Sequence, residues 1–149
     1  MSFPVATIGY QAATVPAFLQ ALTSAGVELL IDVRAVASSR RAGFAKTALA
    51  ANLETAGIDY LHIRSLGTPA DGRAAARSGK HAVMREIFAE HLATHEAQEG
   101  LWRLGEIVKS GRRVALLCFE ADHRECHRTL VANALAEQVP ITVTHLSVG

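Results

Sequence analysis

The sequence predicts a single α/β domain, a three-layer sandwich with helices on both faces of a mostly parallel central sheet. Apolar, β-prone runs alternate with segments of helical periodicity along residues 1–149, and this alternation is typical of such a fold. The run at residues 27–33 is almost entirely apolar, which indicates a strand buried on both faces. Half of the residues are hydrophobic and 19% are charged, so we expect one compact domain.

Three strands and two helices are predicted in the first part of the chain. Thr14 is a typical N-cap residue, and Gly26 is a typical residue just past a helix end. An Ala- and Leu-rich second helix ends at Gly57. The predicted strands cover residues 5–10, 27–33 and 59–64, and the predicted helices cover residues 14–26 and 45–56.

The second part of the chain is predicted to contain a long loop before its helices. Residues 65–80 hold three glycines and a proline, and we expect a structureless connection, either a functional loop or a solvated insertion. An amphipathic helix through residues 84–92 is expected to be interrupted near Gly100, and its apolar stripe continues to Lys109. A strand at 113–118, a helix at 122–137 and a strand at 141–148 complete a Rossmann-like order of elements.

Composition excludes several classes of protein. The formal net charge is +1, so bulk charge supports neither a nucleic-acid partner nor a membrane partner. The N-terminus lacks the basic region and long apolar core of a signal peptide, and no run has the length of a membrane span. Two cysteines form neither a disulfide framework nor a usual zinc motif. We expect a cytoplasmic protein with reduced thiols and no cofactor.

The junction at residues 114–128 carries the strongest functional signal. An apolar run ends at Cys118, and Asp122 with Glu125 three residues later forms a capping box that predicts a helix start. Cys126 then falls in the second turn of that helix, and His127 points about 100° away from it. A helix N-terminus favours an anion and lowers the pKa of a thiol. We therefore expect an anion-handling site.

A parallel sheet would bring further polar residues to this junction, because the carboxyl ends of its strands meet at one edge. Guanidinium groups bind phosphate and carboxylate in bidentate fashion, so the arginines predict an anion-binding crevice. Asp32 and Arg34 have a structural alternative, since they could simply pair with each other. The residues expected at the edge are Tyr10, Asp32, Arg34, Arg40, Arg64, Cys118 and Glu120.

One spacing suggests a thiol enzyme. Cys118 and Arg124 are separated as in the anion loop of tyrosine phosphatases and some rhodanese-like enzymes, where loop amides and an arginine hold an oxyanion beside a thiolate. Glu120 and Asp122 lie within the loop and would repel a dianion, and the loop lacks glycine. These features count against the assignment.

Two patterns suggest metal ligands, but no metal site is predicted. His91 and His95 would lie one helical turn apart, yet no glutamate follows the first histidine and the pair borders an apolar stripe. Zinc could also be held by residues around the junction, whose types are suitable. Adjacent ligands on one helix diverge, however, and structural zinc sites use better-separated pairs. The residues weighed for zinc are Cys118, His123, Cys126 and His127.

Several sequence blocks carry a family resemblance. They are Thr7-Ile8-Gly9-Tyr10, Leu30-Ile31-Asp32-Val33-Arg34 with Ser38-Ser39-Arg40, Ala56-Gly57-Ile58-Asp59-Tyr60-Leu61-His62, Leu66-Gly67, the run at residues 115–122, and Cys126-His127-Arg128. Together they resemble the bacterial and archaeal family known as domain of unknown function 488, although Tyr10 stands where histidine is expected. The resemblance implies an α/β fold and no particular reaction. It also implies a site built from Asp32, Arg34, Ser38, Glu120, Cys126, His127 and Arg128.

Three functions remain open at this point. The first is an enzyme acting on a phosphate-bearing small molecule, a nucleotide or a nucleic-acid end. In it Arg34, Arg40 and Arg128 hold the anion, Glu120 or His127 moves a proton, and Cys126 is the nucleophile. The second is a non-catalytic nucleotide- or nucleic-acid-binding module that uses the same arginines. The third is a rhodanese- or phosphatase-like thiol enzyme, which is distinguished by whether Cys118 or Cys126 is the reactive thiol.

Overall fold

A computed structural model describes residues 1–148 and confirms the α/β class. Five strands form one sheet in which every observed pairing is parallel. The strands are β1 (Phe3–Gly9), β2 (Leu29–Asp32), β3 (Asp59–His62), β4 (Val114–Cys118) and β5 (Ile141–His145). Their order across the sheet is β3-β2-β4-β1-β5. Most strand ends fall within a few residues of the predicted ones.

Six α-helices cover the two faces of the sheet. They are α1 (Val15–Ser24), α2 (Lys46–Thr55), α3 (Ala70–Arg77), α4 (His81–Leu92), α5 (His95–Lys109) and α6 (His127–Ala136). One apolar core joins α1 and α2 to the sheet, and a second core joins the other four helices to its opposite face. This arrangement is the predicted three-layer sandwich. None of the helices in residues 1–148 is long and apolar enough to cross a membrane.

Strand β4 occupies the middle of the sheet and positions the site. Every residue of β4 is buried, and its neighbours are β1 and β2, with Gly9 opposite Cys118 and Asp32 opposite Leu117. The chain leaves β1 and β2 toward the face of α1 and α2, whereas it leaves β4 toward α6 on the other face. Adjacent strands whose connections diverge in this way open a crevice at their carboxyl ends.

The predicted structureless loop at residues 65–80 is wrong. A short 3₁₀ turn covers Arg64–Leu66, and α3 follows. Pro69 stands just before α3, where a missing N–H costs nothing, and the alanines that follow are the strongest helix formers. Gly79, with a positive φ of 77°, ends the turn after the helix. Gly67, Pro69 and Gly79 lie just outside the ends of α3, whereas Gly72 is buried within it.

The predicted interruption near Gly100 is also wrong, because the break comes earlier. Helix α4 ends at Leu92, and the hydroxyl of Thr94 accepts a hydrogen bond from the amide of Ala97 at 3.3 Å, which caps α5. Gly100 lies inside α5, where a Cβ atom would come within 2.3 Å of the Ser65 hydroxyl oxygen. The glycine therefore serves close packing of α5 on the 3₁₀ turn.

The last predicted helix starts later than expected. A 3₁₀ turn covers His123–Glu125, and the carboxylate of Asp122 accepts the amide N–H of Arg124 at 2.9 Å. Cys126 is then extended, with φ −122° and ψ 145°, and α6 begins at His127. Asp122 thus caps a single 3₁₀ turn, through Arg124 rather than Glu125, instead of opening the helix. Cys126 precedes α6 instead of lying in its second turn.

Candidate functional site

A cleft of about 760 Å³ lies at the carboxyl edge of the sheet, beside the end of β4. Two segments bring arginines into its wall, the connection between β2 and α2 and the helix α3. The carboxylates of Glu120 and Glu125 also line it. The arginines of the wall are Arg34, Arg40, Arg41, Arg73 and Arg77. Positive side chains therefore outnumber negative ones around the cleft.

A thiol and an imidazole meet at the floor of this cleft. The Sγ atom of Cys118 lies 3.3 Å from Nδ1 of His127, and Nε2 of His127 lies 2.6 Å from the carbonyl oxygen of Val33. Because a carbonyl only accepts, Nε2 must carry the proton, and Nδ1 of the neutral ring is left to accept from the thiol. Oε2 of Glu120 lies 3.2 Å from the same sulfur. The thiol of Cys118 thus has two acceptors within reach.

Cys126 lies behind this pair and does not line the cleft. Its Sγ atom is 3.9 Å from Nδ1 of His127. Burial raises the pKa of the Cys126 thiol well above its ordinary value, and contact with Cys118 raises it further. Burial also lowers the pKa of His127, but the hydrogen bond and charge of Cys126, the Val33 carbonyl and Glu120 raise it overall. The thiol open to the cleft is Cys118, not the Cys126 predicted as nucleophile.

Arg34 is held by an internal network. Nε and Nη2 donate to the two carboxylate oxygens of Asp32 at 2.9 and 2.7 Å, and Nη1 donates to the Tyr10 hydroxyl and to the Phe44 carbonyl. Although burial lowers the pKa of Arg34, Asp32 raises it well above its ordinary value. Four of the five guanidinium N–H groups are engaged. Arg34 therefore braces the cleft wall as a structural ion pair and has little capacity left for an anion.

Arg128 has a structural position as well. Its side chain is fully buried, and its Nη1 and Nη2 atoms donate to the carbonyl oxygens of Glu120 at 2.5 Å and Ala121 at 3.3 Å. Gly9 faces the same backbone, where a Cβ atom would stand 1.8 Å from the Glu120 carbonyl oxygen. Together these residues hold the chain after β4 against β1. Arg128, which the sequence predicted to hold an anion, does not line the cleft.

The remaining predicted binding residues divide between the cleft and the surface. Tyr10 lines the cleft, its ring stacked on that of Phe44 at 4.7 Å, and Ser38 and Arg40 lie in the cleft wall. Arg64 is exposed in the 3₁₀ turn and is not among the lining residues.

Sequence reasoning missed three arginines of the wall. Arg41, Arg73 and Arg77 were not among the residues expected at the cleft, and positions 73 and 77 fall in the segment 65–80 that was predicted to be a structureless connection. The spacing of four residues between Arg73 and Arg77 is a signal that could have found them, since it places both side chains on one face of a helix.

The phosphatase-like spacing does not form an anion loop here. Arg124 turns outward, is 79% exposed and forms an ion pair with Asp122 at 2.9 Å. Hydrogen bonds from Arg124 lower the pKa of Asp122 to about 2. The guanidinium group is therefore engaged away from the Cys118 thiol, and the signature is contradicted.

The histidine pair weighed as metal ligands separates, but three of the four residues weighed for zinc come together. His91 lies on α4, and its Nε2 atom is 2.7 Å from the carbonyl oxygen of Ser65. His95 is exposed on α5 beside Glu99. His123 stacks on His145 at 3.6 Å. One ligand atom from each of Cys118, Cys126 and His127 lies within 4.8 Å of the other two, and all three residues are buried.

The fold and cleft define an α/β protein with a cationic cleft whose floor carries a buried thiol–imidazole pair. The chain belongs to the family described as domain of unknown function DUF488, which it matches over residues 14–135. This match confirms the resemblance found in the sequence. Searches of curated proteins and of solved structures give no match.

Proposed function

We propose that the protein is an enzyme acting on a phosphate-bearing small molecule or nucleotide, which binds in the cleft beside β4. The observation that carries the proposal is the meeting in one cleft of free arginines with Cys118, Glu120 and His127. A pure binding site needs the arginines but not a thiol within hydrogen-bond reach of both an imidazole and a carboxylate.

The anion is held by arginines of the two wall segments. Arg40 and Arg77 are exposed and form no ion pair within the part of the chain that is described, and Arg73 uses one N–H on the Thr68 carbonyl at 2.9 Å. Guanidinium groups match phosphate oxygens in pairs. A volume of about 760 Å³ suits a molecule of nucleotide size better than an extended polymer.

Glu120 is the residue we assign to proton movement. It is half-buried in the cleft lining, where its carboxylate can accept a proton from a substrate hydroxyl or from water. The guanidinium group of Arg128 fixes the Glu120 backbone, because its Nη1 atom donates to the Glu120 carbonyl oxygen at 2.5 Å. Held in this way, the carboxylate has a defined position relative to a phosphate on the arginines.

A specific contact favours a second candidate, a thiol enzyme that uses Cys118 as its nucleophile without a phosphatase-type anion loop. Cys118 lies 3.3 Å from His127, whose ring is oriented by the Val33 carbonyl, as a nucleophile lies beside an oriented base. In this version Cys118 attacks the substrate and Cys126 is a bystander. If the thiol attacks the substrate, Cys118→Ser should abolish turnover. If it does not, Cys118→Ser should keep its turnover, and only Glu120→Gln should lose it.

Ligand screening by thermal shift tests the binding half of the proposal. Inorganic phosphate, sugar phosphates and nucleotides are offered to the wild type and to an Arg73→Ala/Arg77→Ala variant. A ligand at a hundred times its dissociation constant adds about 2.7 kcal/mol, which raises the Tm of a chain of this size by about 5–10 °C. The shift should vanish in the double variant.

The matched control is Arg85→Ala, which removes an exposed arginine of α4 that does not line the cleft. A shift that survives in the double variant, or that is lost equally in the control, contradicts the assignment of the cleft. A ligand that binds without any turnover supports the non-catalytic binding module instead.

Because both cysteines are free, we also propose the reducing cytoplasm as the protein's location.

A further inference from the structure

We propose that Cys118, Cys126 and His127 form a binding site for a zinc-class divalent cation at the floor of the cleft. Binding follows from the positions of these three side chains and does not depend on the proposed function.

The distances between the candidate ligand atoms fit a tetrahedral ion. Zinc bonds of 2.3 Å to sulfur and about 2.0–2.1 Å to nitrogen imply roughly 3.6 Å between sulfur and nitrogen ligands. The Nδ1 atom of His127 is 3.3 Å from Sγ of Cys118 and 3.9 Å from Sγ of Cys126. These two distances bracket the ideal value. The two sulfur atoms lie within 4.8 Å of each other, so they would approach by up to about 1 Å to reach the roughly 3.8 Å that tetrahedral zinc bonds imply.

The backbone explains how two adjacent residues can serve one ion. Consecutive side chains on a helix point about 100° apart, and this divergence counted against a zinc site in the sequence. Cys126, however, is extended, with φ −122° and ψ 145°, and only His127 is helical. The late start of α6 therefore turns the thiol back toward the imidazole, and the geometric objection no longer applies.

The imidazole is already oriented as a metal ligand. Metal-binding histidines typically donate their other ring N–H to a carbonyl or carboxylate, which fixes the ring. Nε2 of His127 lies 2.6 Å from the Val33 carbonyl oxygen, so Nδ1 faces the two thiols with its lone pair. The buried ring has no other neutral tautomer that satisfies this carbonyl.

The fourth position opens toward the cleft. Cys118 and His127 line the cleft, and the carboxylate of Glu120 lies 3.2 Å from the Cys118 sulfur. Either this carboxylate or a water molecule can complete the tetrahedron. As the divalent ion binds, each thiol gives up its proton to solvent, so two protons leave and the thiolates neutralise the ion's charge. A thiolate bound in this way is not free to attack substrate.

Cobalt(II) is the probe that reports both geometry and ligand type. Protein freed of metal by a chelator is titrated with Co²⁺ alone, and the absorption spectrum is recorded. We expect saturation at one ion per chain, thiolate-to-metal charge-transfer bands and the visible bands of tetrahedral cobalt. Addition of Zn²⁺ should remove these bands. Absence of saturable binding, or a spectrum without thiolate bands, overturns the proposal.

Variants assign the ligands. Cys126→Ser and His127→Asn should each weaken binding at least about tenfold, since even residues outside the ligand shell have effects of that size. The control is His123→Asn, which removes a nearby imidazole that stacks on His145 instead. Unchanged affinity in Cys126→Ser contradicts the proposed ligand set, and so does an equal loss in His123→Asn.

A measurement on the wild type covers the case in which a variant does not fold. Equimolar Zn²⁺ should protect both cysteines from alkylation, as counted by mass spectrometry, and a chelator should restore their reactivity. Alkylation of both thiols at the same rate with and without Zn²⁺ overturns the proposal. These readouts need no substrate, so loss of the anion-binding result would leave them intact.

Discussion

Replacement of Asp32 by asparagine removes the charge from the buried carboxylate beneath the cleft wall. Asp32 is fully buried and accepts the backbone N–H and the Nε and Nη2 groups of Arg34 at 3.0, 2.9 and 2.7 Å. The Tyr60 hydroxyl donates to its second oxygen at 2.5 Å, and burial, reinforced by this hydrogen bond, raises the pKa of Tyr60. Asparagine keeps the shape, but it leaves the guanidinium charge uncompensated and turns an NH₂ group toward donors.

We expect Asp32→Asn to lower the free energy of unfolding by a large amount, although it exchanges only one oxygen for an NH₂ group. Breaking a buried ion pair on one side costs about 3–5 kcal/mol, which corresponds to a fall in Tm of roughly 6–20 °C for a chain of this size. Tyr60→Phe removes a single hydrogen bond to the carboxylate, and we expect it to cost only about 1.5–3 kcal/mol. The two variants therefore share a site but differ in what they remove.

Urea unfolding followed by circular dichroism measures both free energies. The Arg34→Met variant and its combination with Asp32→Asn complete a double-mutant cycle, in which the combined loss should be clearly smaller than the sum of the single losses. A loss in Asp32→Asn below about 1 kcal/mol, the size typical of an exposed pair, would refute the argument that this ion pair is sealed from solvent. Additive losses would refute the coupling.

Three further predictions concern the neighbourhood of the cleft. In Gly9→Ala the new methyl group stands 1.8 Å from the Glu120 carbonyl oxygen, so we expect a loss of stability of about 1–3 kcal/mol or more; an unfolding free energy equal to that of the wild type contradicts this packing. In metal-free protein, iodoacetamide should modify Cys118, which lines the cleft, before Cys126, which does not; peptide mass mapping gives the order, and the reverse order would count against the site. Burial, helped by nearby positive charge, lowers the pKa of His145 in the folded state from its ordinary value near 6.5. The unfolded chain therefore takes up the proton first, and stability should fall as the pH drops below about 7 until it reaches the folded-state pKa. Urea unfolding at a series of pH values measures this dependence, and the slope of the unfolding free energy against pH should be smaller in His145→Gln.

The strands and the layer order followed from the sequence because each depends on local pattern. The apolar runs that became β2 and β4 are buried from end to end, and a parallel sheet with covered faces is the arrangement that accommodates them. Their lengths and the spacing between them are set by neighbouring residues, so no long-range information was needed.

The errors share a physical cause. Glycine and proline between residues 65 and 80 indicated a loop, but Gly67, Pro69 and Gly79 flank α3, Gly72 lies inside it, and α3 packs on α4. The Asp122 side chain does accept a capping hydrogen bond, from Arg124, yet the turn it caps is a single 3₁₀ turn. Local signals locate a turn, whereas packing decides whether a helix continues from it.

Most of the candidate site could be gathered from the sequence, but the role of each residue could not. Strand ends brought Asp32, Arg34, Cys118 and Glu120 to one edge, as parallel topology requires. Whether a guanidinium faces inward to a carboxylate or outward to a ligand depends on contacts between distant segments. The Arg34 contact with the Phe44 carbonyl is such a contact, and no spacing in the sequence reports it.

The central place of β4 also affects the order in which the molecule can fold. β1 and β2 never touch as neighbours, because the strand between them lies more than 80 residues later along the chain than β2. While the polypeptide is being synthesised, its first half therefore has two strands without their shared partner. The sheet can close only after residue 118 has left the ribosome, and such long-range pairing is slow. The cleft, which forms around the end of that strand, should be among the last parts of the protein to appear.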